Sequence, residues 1–293
     1  MRLANPTVFY DVENLSRTIL KETSQFQLIT FDLFDTLLIR RIAEPDQIKE
    51  PVAKYIAQYA NLAGIKCSWQ DVLKKRWEIE NKHRQKNSKL FPDAEASYPD
   101  FIKETLNEVF AEKLPADFLE KVTNFELMLE SSVLVPRAPL VETLQKLKLL
   151  KKTIWIMTDI YLPSTHIERL LKQANIMQMV DGIASSADRC EAKASGAGFI
   201  ALKNKLNIAP ENWLHIGDNI HSDGKRPAEL GIRAYVLQDK KEFARKSIYK
   251  AYLNKAVKSN FWRGRMWQQL AAPLEAENEE KDALYVAGYN FFG

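Results

Sequence analysis

The stretch FDLFDTLL, residues 31–38, sets two carboxylates three positions apart inside an apolar run. Asp32 and Asp35 flank Leu33 and Phe34. Further along, TIWIMTD ends in Thr158 and Asp159, EAKASG carries Lys193, and NWLHIGDNIHSD carries Asp218 and Asp223. Carboxylates that converge on one point repel each other unless a cation sits among them. Oxygen-only ligands suit Mg2+, which keeps waters and shares its shell with phosphate oxygens. One aspartate of such a set can attack phosphorus as a nucleophile. A second can protonate the leaving oxygen and later activate water. A hydroxyl and a lysine can hold the transferring phosphoryl group, where positioning and charge stabilisation do most of the catalysis.

These residues meet only if one sheet edge carries them all. FQLITFDLF, residues 26–34, is too short for an ordinary helix and suits a buried parallel strand. TIWIMTD, VDGIASS, NWLHIGD and RAYVL read as further strands, alternating with the helical stretches LVETLQKLKLLKK, STHIERLLKQAN, GAGFIALKNKLN and DGKRPAELG. That alternation predicts a parallel sheet with helices on both faces. Ligands bind outside the carboxyl ends of such strands, where the acidic clusters, Thr158 and Lys193 fall. Residues 11–25 form a helical lead-in. Residues 46–130 contain no strand pattern; Gly64 reads as a helix C-cap and Ser68 as an N-cap. The expected fold class is therefore α/β: a Rossmann-like core of 1–41 and 131–240, split after its first strand by an all-helical insertion over 42–130. Residues 241–293 form a basic, aromatic extension.

Composition sets outer limits. The chain has 293 residues, 46% hydrophobic and 27% charged, which is ordinary for a globular protein with a sizeable core. A net charge of +4 is too weakly basic to argue for nucleic acid. Cys67 and Cys190 give neither metal spacing nor a disulfide framework. The first residues do not read as a secretory signal, and no run of about 18 apolar residues occurs. A cytoplasmic location is the expectation. His215 is expected to pack within its strand, His166 to face out from its helix, and His221 to lie in the acidic loop. Arg40 and Arg41 stand where the chain enters the insertion. Tyr161 falls near the site entrance, and Trp77 and Arg84 in the insertion. The tail around Trp262 and Trp267 reads as a docking or packing helix rather than a membrane-surface one.

DLFDT resembles the DxDx(T/V) nucleophile motif of the haloacid dehalogenase (HAD) superfamily. IWIMTD is similar to its second motif, Lys193 in EAKASG to its third, and HIGDNIHSD to its acidic fourth. The resemblance covers residues 26–40 and 131–238. It implies Asp32 as nucleophile and metal ligand, and Asp35 as general acid/base with its carbonyl on the metal. Thr158, with the Asp159 backbone N–H, would hold the phosphoryl group. Lys193 would neutralise charge, Asp218 would bind Mg2+, and Asp223 would support the metal site. Dehalogenases of the superfamily lack the acid/base aspartate, so Asp35 and the following Thr36 imply phosphoryl transfer. The helical block resembles a C1 cap, and the Thr158–Lys193 segment is too short for a large second insertion. FDLFDTLLIRR, MTDIYLP and HIGDNIHSD also resemble the subgroup found beside or fused to bacterial glycosyltransferases, with YVAGYNFFG similar to the start of a following segment.

The implied function is a Mg2+-dependent phosphatase acting through an aspartyl-phosphate on a small phosphorylated metabolite, a sugar phosphate by that subgroup resemblance. A glycosyltransferase domain or partner would then meet the C-terminal extension. Two alternatives stand: a phosphotransferase such as a phosphomutase, and a docking module of a larger glycan-synthesis protein that performs no chemistry.

Overall fold

The computed structural model describes residues 5–42 and 44–247. In chain order the first elements are β1 (Thr7–Phe9), α1 (Val12–Glu22), β2 (Leu28–Phe31) and β3 (Leu38–Arg40). Four helices follow: α2 (Lys49–Leu62), α3 (Trp69–Asn87), α4 (Tyr98–Phe110) and α5 (Phe118–Val133). Then come β4 (Leu134–Pro136), α6 (Ala138–Leu149), β5 (Thr153–Thr158), α7 (Ser164–Gln173), β6 (Gly182–Ser185) and α8 (Ser186–Arg189). The last are α9 (Ala197–Leu206), β7 (Trp213–Gly217), α10 (Arg226–Glu229) and β8 (Arg233–Leu237).

Six strands make one parallel sheet in the order β1-β8-β7-β2-β5-β6. β2 lies centrally, with Ile29 opposite Ile154 on one side and Leu214 on the other. All four of its residues are buried, which is why its sequence shows no polar alternation. One face packs Leu28, Trp155, Met157 and Trp213 against Phe199 and Leu202 of α9. α1 and α6 pack together and bury Leu15, Ile19, Leu140, Leu144 and Leu147 completely. Each such side chain contributes roughly 1.5–3 kcal/mol relative to exposure.

β1 departs from the sequence reading. It is an edge strand of three residues, too short to show a period, with Thr7 opposite Tyr235. The helical insertion thus comes after the second strand of the six-stranded sheet in chain order, although that strand is the central one.

Within the insertion, Ser68 and Asp71 form a capping box at the start of α3, and Gly64 takes the left-handed conformation beyond α2 at φ 77°. Arg76 meets Glu126 through two bonds of 2.7 and 2.8 Å, with both side chains buried. β3 and β4 pair as a two-stranded ribbon flanking the insertion. Met1–Ile39 and Ile48–Gln238 group as one compact unit, which holds both the sheet and the helices α2–α5. Among the described residues, the second unit comprises those of Arg40–Gln47 and residues 239–247. In it, Gln47 accepts the Glu44 N–H at 3.0 Å and Asp239 the Lys241 N–H at 2.9 Å. The basic, aromatic tail from residue 248 lies outside the described residues. No helix among the described residues is long and apolar enough to cross a membrane.

Candidate active site

β2 ends at Phe31, and the chain turns back at once. The Leu37 and Leu38 N–H groups both reach the Leu33 carbonyl, at 2.9 and 2.8 Å. This turn leaves Asp32 at the carboxyl end of the sheet, buried, with Thr36 Oγ1 donating to its Oδ2 at 3.1 Å. Lys193 Nζ donates to Asp32 Oδ1 at 2.5 Å and to Asp223 Oδ1 at 2.6 Å. Asp32, Asp218 and Asp223 each offer an oxygen within 4.8 Å of the others.

Asp223 is fully engaged: Oδ1 also meets His215 Nε2 at 3.1 Å, and Oδ2 accepts the Asn219 N–H at 2.9 Å. Thr30 Oγ1 accepts from Trp213 Nε1 at 2.8 Å and meets His215 Nδ1 at 2.8 Å. Facing a carboxylate, His215 Nε2 must carry the proton, so Nδ1 accepts from Thr30. Burial holds the His215 pKa below its ordinary value, so it stays neutral. Burial raises Asp223, but Lys193 and His215 outweigh it and hold its pKa well below the carboxylate range. Burial likewise opposes the charge on Lys193, yet Asp223 and Asp32 keep its pKa above the ordinary lysine value. Asp32 is pushed upward, first by burial and then by Asp223 and Asp218, against the pull of Lys193.

Oxygen donors in a buried cluster with excess negative charge fit a hard divalent cation. Asp32 and Asp218 are the residues suited to hold Mg2+ directly. Asp223, which also takes His215 and the Asn219 N–H, suits a supporting place.

β7 closes on Gly217 for a steric reason. A Cβ there would lie 2.2 Å from Asp223 Cγ. Gly217→Ala is therefore expected to displace Asp223 and cut turnover by about 100-fold, since misplacement near 1 Å costs that much. A Mg2+ titration of the rate should show a higher concentration for half-maximal turnover in the variant.

The remaining sequence-derived residues fall as follows. Thr158 is buried at the end of β5. Asp159 does not cap its own turn: its carboxylate accepts the Lys193 N–H at 2.9 and 3.1 Å and the Ala194 N–H at 3.2 Å. Lys203 and Lys205, which follow Lys193 closely in the sequence, lie exposed on α9. His166 does not face outward but sets its ring against Tyr98 at 5.5 Å. His221 is exposed. Tyr161 wedges into the insertion, stacking on Tyr98 at 6.1 Å and donating to Glu126 at 3.1 Å.

Asp35 is not brought into the carboxylate cluster. Its backbone sits in the left-handed region at φ 62°, a conformation Asp tolerates better than most residues. Its N–H donates to the Leu38 carbonyl at 2.7 Å, and its carbonyl accepts from Arg137 Nη2 at 3.0 Å. The Asp32–Thr36 bond aligns these two with the first and last positions of DxDx(T/V). The second aspartate of that motif lies two residues after the first, and Phe34 stands there. Asp35 is one position further on, so the acid/base and metal-carbonyl roles do not carry over to it from the motif. His215, Gly217 and Asn219 were not assigned site roles from the sequence. The contacts of a strand histidine are not readable without strand pairing.

A family model described as haloacid dehalogenase-like hydrolase matches residues 26–225. A search of curated proteins returned no match. Among solved structures, a HAD phosphatase from Thermococcus onnurineus is similar at 14% identity and TM-score 0.49, covering 75% of this chain and 97% of that one. An L-2-haloacid dehalogenase from Xanthobacter autotrophicus is similar at 12% identity and TM-score 0.44, covering 82% and 87%. A protein described as a predicted phosphoglycolate phosphatase from Haemophilus somnus is similar at 18% identity and TM-score 0.42, covering 73% and 85%. At such identities and scores these likenesses carry no argument about activity.

Proposed function

The chain belongs to the haloacid dehalogenase-like hydrolases, and within that family we propose that it is a Mg2+-dependent phosphatase acting through an aspartyl-phosphate. One observation carries this reading: Asp32, held by Lys193 and Thr36, lies within 4.8 Å of two further carboxylates. A nucleophile aimed at carbon needs no such concentration of negative charge. A phosphoryl group brings its own negative charge and needs a divalent cation to meet it.

In this reading an Asp32 oxygen attacks phosphorus, the bond from phosphorus to the substrate's ester oxygen breaks, and that oxygen takes a proton from water and leaves as the alcohol. Lys193 offsets charge on both the nucleophile and the phosphoryl group, and Thr158 supports the phosphoryl oxygens. Bound Mg2+ would supply further charge neutralisation at the phosphoryl oxygens. Water then attacks phosphorus, releasing phosphate and restoring the Asp32 carboxylate. Helices α2–α5 act as a C1 cap that limits substrate size. The substrate proposed is a small phosphorylated metabolite; the narrower choice of a sugar phosphate, and of a glycosyltransferase partner, rests on the subgroup resemblance alone.

Phe34 favours a second reading. Without an aspartate two residues after Asp32, the site shares a feature with dehalogenases, in which the nucleophile would attack carbon. Phosphate release from sugar phosphates and one aryl phosphate, with Mg2+ and with chelator, tests the two. Mg2+-dependent release supports the phosphatase; halide release from 2-haloacids, unaffected by chelator, supports the other.

Asp35→Asn separates the charge of Asp35 from its backbone conformation, since Asn tolerates the left-handed region equally. The expected loss in kcat is under about 3-fold with an unchanged pH profile. A general acid/base would lose about 100-fold or more.

A further inference from the structure

We propose that Asp93, in the loop between α3 and α4, is a positioning residue for Lys193, so that docking of the helical insertion completes the active site. This rests on the role proposed for Lys193 above. Lys193 lies in a loop between α8 and α9 that no helix or strand holds. The backbone N–H groups of three successive residues there all end on carboxylates. Asp159 takes those of Lys193 and Ala194, and Asp93 Oδ2 takes that of Ala192 at 2.6 Å. Asp93 Oδ2 also accepts the Ser195 hydroxyl at 2.7 Å. Two residues after Asp93, Glu95 makes a similar contact, its Oε2 accepting from Ser186 Oγ at the start of α8 at 3.1 Å.

Asp93 therefore grips the residues on both sides of Lys193. Buried and held between Asp32 and Asp223, the Lys193 ammonium tolerates little displacement. Withdrawal of the 88–97 loop would free the Ala192 N–H and the Ser195 hydroxyl and loosen the lysine. The insertion thus contributes to the chemistry by setting the lysine, in addition to enclosing the substrate.

The test compares wild type, Asp93→Ala, Asp93→Asn and the control Glu104→Gln on p-nitrophenyl phosphate with Mg2+. Glu104 pairs with Lys82 and His83 inside the insertion and touches neither loop. Asp93→Ala is expected to lower kcat by ~10–100-fold with KM within ~3-fold. Asp93→Asn keeps an acceptor oxygen and is expected to recover kcat to within ~3-fold of wild type. Glu104→Gln is expected to match wild type. Wild-type kcat in Asp93→Ala, whatever its melting temperature, would overturn the proposal. So would a raised KM at constant kcat, which would place Asp93 on the substrate instead.

A second readout does not depend on activity. Acetylation of Lys193, followed by mass spectrometry, is expected to run ~10-fold faster in folded Asp93→Ala than in wild type. Equal rates would overturn the proposal even if no substrate is turned over. Inactive wild type with faster labelling in the variant would instead count against the phosphatase reading alone.

Discussion

Asp32→Asn is expected to lower phosphate release by at least ~10,000-fold while the chain stays folded. An amide oxygen is a poor nucleophile, and its attack would leave no stable acyl-phosphate. The structural cost is small because the change removes one charge from a cluster that carries too many. Lys193 keeps Asp223 at 2.6 Å, and the amide oxygen still accepts from Lys193 or Thr36. Far-UV circular dichroism and a melting temperature near that of wild type would separate lost chemistry from lost fold. Residual turnover within ~100-fold of wild type would remove Asp32 as the nucleophile.

The second large effect is on stability as well as rate. Lys193→Met leaves Asp32 and Asp223 without their shared ammonium. Breaking a buried pair by removing one partner costs about 3–5 kcal/mol. Its pH dependence has a definite sign. In wild type the raised Lys193 pKa means that its stabilisation is complete below the ordinary lysine range and is lost only as pH rises through the raised value. The depressed Asp223 pKa adds stability above the ordinary carboxylate range, lost as pH falls through the depressed value. In Lys193→Met the loss of the cation should drive the Asp32 pKa further up. A carboxylate raised in the folded state destabilises above its folded pKa, and stability returns as pH falls through it. Urea unfolding should therefore show a deficit that shrinks as pH falls from neutral toward the ordinary carboxylate range. Added Mg2+ should also shrink the deficit, because a divalent cation replaces the missing positive charge. Turnover should fall by ~1,000-fold or more even with Mg2+. A variant as stable as wild type in chelator at neutral pH would contradict the electrostatic account of this cluster.

The sequence disclosed the fold where burial leaves a mark on composition. LITF and TIWIMT are apolar because β2 and β5 are covered on both faces, and the 46–130 block repeats at helical spacing because α2–α5 bury one stripe each. β1 was missed because three residues at a sheet edge have no period. Strand ends were legible for the same reason as strands, so Asp32, Thr158 and Asp218 could be placed at one edge. Lys193 had less to mark it, and its convergence on Asp32 depends on a loop held by side chains from two other segments. Asp93, His215 and Gly217 act through contacts that depend on how the chain folds around them, and single-chain spacing carries no trace of those. Asp35 illustrates the opposite hazard. Its type and neighbourhood suggest a proton donor, while a one-residue offset in a tight turn leaves it outside the group formed by Asp32, Asp218 and Asp223.

The central claim is that the Asp32 carboxylate becomes phosphorylated. Its most direct test is mass spectrometry of the peptide containing Asp32, from protein quenched in acid during turnover of an aryl phosphate with Mg2+. The expected result is a phosphoryl group on Asp32, absent with chelator and absent in Asp32→Asn. Turnover with Asp32 unmodified at every quench time, or a phosphoryl group on another residue, would contradict the account.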